Sequence, residues 1–317
     1  SDSDKITIDL SKQKAKKGIY YGTDYNDLII DNNKNSVIKA GKGNDEIEMG
    51  TKGRTTVKIG EGDGVDAITF DYEENQINKK VSVDFTDATK ITIKTTDSDE
   101  NLNVSTSTGE GAIIYALNSF ENEKAPDIEI VGSSDENKTF NINNSAKVVS
   151  ATKTNDTYNI TGWSDVIITD KNGDDIYNVD NAFRLDDAKL IISDSKGNDV
   201  LNFEQKIEDL TILFNIRKTA DKKGNVVGDA LYIIGKDSTD LKYGIQMSGI
   251  DTIKTSDGQG GYTDVTAPTN EIVEAVQGWL ADANSGKGYA SVADAIKAND
   301  ADLANLIAKF APSQPQV

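Results

Sequence analysis

The chain has 317 residues, with 34 Lys plus Arg against 53 Asp plus Glu, a formal net charge of −19, and neither His nor Cys. That charge argues against a nucleic-acid backbone as partner, and the missing side chains exclude imidazole or thiolate metal sites, Ser-His-Asp catalysis and disulfide staples. Only oxygen donors remain for a metal, and abundant carboxylates, Asn and 26 Gly suit a hard cation, Ca²⁺ above all; the plain alternative is an acidic, merely soluble surface.

The length accommodates two or three domains, and 36% hydrophobic residues suffice for a core. No apolar run approaches the roughly 20 residues of a membrane-spanning helix. The opening SDSDKITIDL has no basic region followed by an apolar stretch. The expectation is therefore no N-terminal signal peptide, export by another route if export occurs, and a fragment of something longer.

Residues 1–70 carry a nine-residue period. Ile29, Ile38 and Ile47 are nine apart, Asp27, Ser36 and Asp45 precede each by two, and Gly41 and Gly50 keep the same step. Nine residues make a strand of about three, its middle side chain inward, and a six-residue turn of Gly, Asn and Asp. Two such units form one coil, so turns one coil apart stack. Asp27 and Asp45 then face one another across turn carbonyls, as a cage of about six to eight oxygens requires. Gly in such turns supplies positive φ and close backbone approach.

Residues 71–135 break this register but keep strand-like patches, VSVDF, ITIKT, LNVST, AIIYAL and IEIVG. They read either as metal-poor coils continuous with their neighbours or as a separate β-rich insert. Over 136–202 the period returns: Phe140, Val149, Tyr158, Ile167, Ile176 and Leu185 step by nine, with Asp156, Asp165 and Asp174 two ahead of three of them, and Ile192 and Leu201 resume it after a slip. Asp156 and Asp174 are predicted to face one another as Asp27 and Asp45 do. From 203 to 265 the strands lengthen, LTILFNI, ALYIIGK and LKYGIQMSGIDTIKT, as a β-cap closing the end of a solenoid would.

Residues 266–317 change character. Pro268 and Asn270 open a predicted helix with Ile272, Val276, Trp279 and Leu280 on one stripe. Ser291 as N-cap with Asp294 three residues on starts another helical stretch, and Leu303, Leu306, Ile307 and Phe310 form a second stripe. Packing on the β-cap as a helical lid is one reading of this region.

The stretch AGKGNDEIE resembles the repeat consensus of the repeats-in-toxin (RTX) family, whose members form Ca²⁺-binding parallel β-rolls. YGTDYNDLII, IGEGDGVDAITF, TGWSDVIIT, KNGDDIYNV and DSKGNDVLNF match it in degenerate form. The resemblance implies a mostly β fold: a parallel β-roll, or β-solenoid, of nine-residue repeats with a β-rich cap and a short C-terminal helical region. It also implies several bound Ca²⁺ ions. It carries carboxylate-ligand roles onto Asp27, Asp45, Asp66, Asp156, Asp165, Asp174 and Asp199, with Asp24, Asp63, Asp170 and Asp194 as further candidates. Gly22, Asn33, Gly41, Gly43, Gly60, Gly62, Asn172 and Gly197 are the accompanying turn residues. Ser36 and Phe183 stand where the consensus has Asp. The competing reading of all these residues is a metal-free solenoid whose Asp, Asn and Gly only make turns.

No catalytic constellation is visible, so no enzymatic activity is expected. The resemblance implies a secreted or cell-surface calcium-binding module that folds on Ca²⁺ outside the cell. Its C-terminal region would be an uncleaved signal read by a type I (ABC-transporter) secretion channel, and its effector part would lie upstream. The alternative is a structural surface protein, an S-layer subunit or adhesin, in which Ca²⁺ drives assembly, with self-association or cell-surface polysaccharide as partners.

Overall fold

A computed structural model describes residues 5–11, 18–31, 35–70, 78–95, 101–115, 126–143, 146–162, 165–206, 209–214, 231–235, 243–282, 288–289 and 292–310. The protein is mostly β, with strands in two large, mostly parallel sheets and helices at the C-terminal end. The chain divides into two compact units, residues 1–158 and 159–317.

In the first unit one sheet has the order β1 (Thr7–Asp9), β3 (Leu28–Asp31), β5 (Glu46–Met49), β7 (Val65–Phe70), β11 (Gly111–Ile114), β10 (Leu102–Thr106), β9 (Lys90–Thr95), β13 (Thr139–Asn143). The other has β2 (Gly18–Tyr21), β4 (Asn35–Lys39), β6 (Lys52–Ile59), β8 (Asn78–Phe85), β12 (Asp127–Gly132), β14 (Ala146–Ser150). Up to β8 successive strands go to alternate sheets, so each pairs in parallel with the strand two places on. Ile29 lies opposite Ile47 and Tyr20 opposite Ile38. Ile29, Ile38 and Ile47 are all fully buried, as the nine-residue step requires. β8 pairs with β6 and β12, while β11 extends β7 and β13 pairs with β9. The antiparallel exception is β9–β10–β11. Phe140 and Tyr158 stack at 5.2 Å in the core.

β15 (Thr157–Ile160) crosses the boundary between the units. In the second unit the orders are β17 (Ile176–Val179), β19 (Val200–Phe203), β23 (Thr252–Ser256), β24 (Tyr262–Asp264), and β16 (Val166–Thr169), β18 (Lys189–Ser193), β22 (Gly244–Ser248), β21 (Leu231–Gly235), β20 (Leu210–Phe214). Here the nine-residue reading is corrected. In β14 of the first unit Val148 rather than Val149 is buried; in the second unit Ile167 and Ile176 are each 39% exposed, and Ile168 and Tyr177 are buried. For Ile167 and Ile176 the reason is an added residue: Tyr158 to Tyr177 is nineteen positions, and in a strand a one-residue slip moves a side chain to the opposite face. Leu185 is buried, but in a turn rather than a strand. That turn also buries Phe183 and Ala188.

The parallel run ends in reversals. β20–β21–β22 and β23–β24 are antiparallel. Helix α1 (Thr266–Ala281) packs beside β20 and β23. It begins two residues before Pro268, whose missing N–H lies within the first turn, where no intrahelical partner exists. Ile272, Val276 and Trp279 join Ile234 of β21, Val292 and Ala295 of α2 (Val292–Lys297) and Leu303 of α3 (Ala301–Phe310) in one apolar cluster. Ser291 lies outside the described residues. Asp300 caps α3, its Oδ1 accepting the N–H groups of Asp302 and Leu303. Among the described residues no helix is long and apolar enough to cross a membrane.

Candidate metal centre

The turn between β4 and β5 reads Ala40-Gly41-Lys42-Gly43-Asn44-Asp45 and places Asp45 immediately before its strand. Gly41 and Gly43 adopt φ of 98° and 114°, the left-handed region that disfavours a Cβ. They are also crowded by the preceding turn: a Cβ on Gly41 would lie 2.1 Å from the Thr23 carbonyl oxygen, and one on Gly64 would lie 2.0 Å from that of Gly43. The turns therefore stack backbone on backbone, carbonyls included.

Against this stack runs a ladder of carboxylates. Asp27 Oδ1 accepts the N–H of Ile6 at 3.1 Å, Asp45 Oδ1 that of Asp27 at 2.7 Å, and Asp66 Oδ1 that of Asp45 at 3.1 Å. All three Asp residues are buried. One oxygen of each is thus a rung between neighbouring strand segments. The other differs: Asp27 Oδ2 accepts the Thr23 N–H and hydroxyl, whereas Asp45 Oδ2 and Asp66 Oδ2 are buried with no hydrogen-bond partner among the described residues. Burial pushes the Asp66 carboxyl up to about 8 and the Asp45 carboxyl up to about 6. The charges of Asp45 and Asp63 add to the first, those of Asp27 and Asp63 to the second, and in each a donated backbone N–H opposes the rise. Asp63 is raised too, by burial and then by Asp87 and Glu110.

The second unit has an equivalent cluster. Asp175, Asp194 and Asp199 are buried with carboxylate oxygens within 4.8 Å of one another. Asp199 Oδ1 accepts the Asp175 N–H at 2.9 Å, continuing the same rung pattern, and Asp199 Oδ2 has no hydrogen-bond partner among the described residues. The Tyr177 hydroxyl donates to Asp194 Oδ2 at 2.6 Å. Burial raises the Asp199 carboxyl to about 6, with the charges of Asp194, Asp251 and Asp170 adding to it. Both turns here start with Asp, in Asp170-Lys171-Asn172-Gly173-Asp174-Asp175 and Asp194-Ser195-Lys196-Gly197-Asn198-Asp199. A Cβ on Gly197 would lie 1.5 Å from the Gly173 carbonyl oxygen.

The predicted ligands thus separate into groups. Asp27, Asp45, Asp66, Asp156, Asp170, Asp194 and Asp199 are buried. Asp156 accepts the Lys138 N–H and the hydroxyls of Ser150 and Thr152. Asp174, Asp165 and Asp24 are exposed: Asp174 accepts the Asn198 N–H, Asp165 that of Lys189, and Asp24 pairs with Lys42 at 3.2 Å. Asp63 is half-buried and accepts the Gly60 N–H. Gly62 donates to Glu110, and Asn172 to Asp170. A Cβ on Gly22 would meet the Ala40 carbonyl oxygen and Asp27 Oδ2. Asn33 lies outside the described residues.

Sequence reasoning missed Asp175, Tyr177 and Glu110. Asp175 was legible: it stands two before the inward Tyr177, as Asp45 stands two before Ile47. Ser36, in place of an Asp, donates to Asp31 at 2.8 Å; this buried carboxylate is also paired with the buried Lys79 at 3.0 Å. The donor set fits a hard cation: oxygen only, with buried carboxylate oxygens left over and turn glycines allowing close approach. A comparison of the chain with protein-family models finds no match, and a comparison with curated proteins finds none.

Proposed function

We propose that this chain is a calcium-binding parallel β-roll whose folding is driven by Ca²⁺ outside the cell, serving as the C-terminal module of a larger secreted or surface protein. The observation that carries this reading is the leftover oxygen on Asp45, Asp66 and Asp199. A carboxylate that is buried, already used once as a backbone acceptor and left with a bare oxygen is costly unless a cation or proton meets it. In the first unit Asp45 and Asp66, with neighbouring turn carbonyls, would hold the ions; in the second Asp175, Asp194 and Asp199 would.

Two carboxylates about 4 Å apart repel by roughly 4 kcal/mol at an effective dielectric of 20, which loosens the ion-free turns. A site at about 100 times its dissociation constant adds roughly 2.7 kcal/mol, so a few sites rival the stability of a whole domain. A chain loose at low calcium can pass a type I channel unfolded and fold outside, where affinities of about 10⁻⁴ to 10⁻³ M suffice. The C-terminal helices are our candidate for the channel-read signal, in keeping with the RTX resemblance.

The alternative, a surface subunit that Ca²⁺ assembles, is favoured by one observation: Ile6, Ile19, Tyr21 and Tyr25, on and beside β1 and β2, are large apolar side chains in solvent. Circular dichroism and sedimentation during a CaCl₂ titration from chelator to about 10 mM, spanning the affinities of extracellular modules, test both. Cooperative gain of β signal in a compact monomer, absent with Mg²⁺, is the expected result. Calcium-dependent polymers favour the alternative, and a fold indifferent to calcium overturns both.

A further inference from the structure

Within the first unit, the segment 78–156 contains a cation of its own. Lys138 follows the turn after β12 and is 1% exposed. Its ammonium donates to the main-chain carbonyls of Thr86, at 3.3 Å, and Ala88. Its main-chain N–H donates to Asp156 Oδ1 at 2.7 Å. Burial lowers its pKa, while the charges of Asp156, Asp84, Glu136 and Asp87 act in the opposite direction. Gly132 makes room for the stem, since a Cβ there would lie 2.5 Å from Lys138 Cδ. Turn carbonyls with carboxylates around them are the surroundings a hard cation takes. An ammonium, with three donors and one charge, can occupy such surroundings when its chain reaches that far.

We propose that Lys138 is a tethered substitute for a metal ion: its ammonium neutralises the carboxylates around the 86–88 turn and holds β8, β9, β12 and β13 together without any divalent cation. The burial supports this assignment, because an ammonium removed from water is held only by compensating partners. The contrast with Asp45 and Asp66 supports it too. Those carboxylates keep a bare oxygen, whereas Asp156 Oδ2 accepts the Ser150 and Thr152 hydroxyls at 2.6 and 2.8 Å. Only this contrast rests on the calcium-binding reading; the role of Lys138 does not. On both together, the chain has a calcium-independent part from which calcium-driven coils can grow.

Amide hydrogen exchange of the full chain in chelator tests the assignment. Wild type should protect β12 and β13 without calcium, while β5 and β7 gain at least tenfold protection when CaCl₂ is added. Lys138→Met keeps length and apolar stem but removes the charge. It should lower protection of β12 and β13 at least tenfold in chelator, with no recovery in CaCl₂. The double variant Lys138→Met with Asp156→Asn should restore it, since Asn keeps the Oδ1 acceptor and the Ser150 and Thr152 hydroxyls can turn to accept from its amide. If Lys138→Met does not fold at all, the double variant decides: a recovered fold supports neutralisation, an unfolded one overturns it. Wild-type protection in Lys138→Met also overturns it. Equal protection of β5 and β7 with and without calcium defeats the calcium-binding reading alone.

Discussion

The main-chain N–H of Asp45 donates to Oδ1 of Asp66 at 3.1 Å, so a single carboxylate both joins two neighbouring strands and keeps its second oxygen buried without a hydrogen-bond partner among the described residues. The two roles can be separated by substitution. Asp66→Asn retains the rung and loses the charge. In chelator it is expected to melt at a higher temperature than wild type, and in saturating calcium to lose about one site's contribution, roughly 2.7 kcal/mol at 100 times the dissociation constant. Asp66→Ala loses the rung as well and should be the less stable variant in chelator. Thermal melts with and without calcium separate the cases.

Acid should stabilise the calcium-free protein. Asp66 is raised to about 8, and Asp45 and Asp199 to about 6, from 3.8 in the unfolded chain. Between 3.8 and those values the folded state binds more protons than the unfolded state, so stability falls as pH rises through that window. Urea midpoints in chelator are expected to be higher at pH 5 than at pH 8. With calcium bound the carboxylates are held ionised, and the trend should vanish or reverse. A chelator midpoint that rises with pH counts against the burial of these groups.

Turn glycines differ in what they tolerate. Gly64, at φ 86°, has the Gly43 carbonyl where a Cβ would go, whereas Gly62, at φ 82°, has open space there. Gly62→Ala should cost about 1 kcal/mol from backbone strain. Gly64→Ala should cost roughly 2 to 4 kcal/mol, strain and clash together. Urea denaturation in saturating calcium measures the difference, and equal losses would refute the stacked turns.

The Asp31–Lys79 pair has both side chains fully buried. Lys79→Met alone leaves an uncompensated carboxylate and should destabilise by about 3 to 5 kcal/mol. Adding Asp31→Asn should recover most of that loss, because the Ser36 and Thr55 hydroxyls still have an acceptor. Chemical denaturation of the single and double variants closes this cycle.

Burial in the first run was legible because the residues at 27–47 follow the counted spacing. Asp27, Asp45, Ile29, Ile38 and Ile47 all take the burial that counting by nine assigns them. The second run was legible only in outline. One added residue before Tyr177 moved the inward face off Ile176, and with it the buried carboxylate from Asp174 to Asp175. Local spacing carries no sign of which of two adjacent acids a strand will bury; the aromatic at Tyr177 was the available clue. Lys79 and Lys138 could not be found by pattern at all, since an isolated Lys is ordinarily solvated, and their partners lie some 50 positions distant.

The turn at 181–188 has a wider consequence. Rungs between neighbouring strands span 18 residues at Asp27–Asp45 and 24 at Asp175–Asp199, yet β17 still lies on β19 and β16 on β18 without a break in register. Phe183, Leu185 and Ala188 tuck the surplus inside. Evolution can therefore lengthen such a chain between strands without disturbing those already stacked. Insertions at this turn are the natural route by which the architecture would acquire new surface loops.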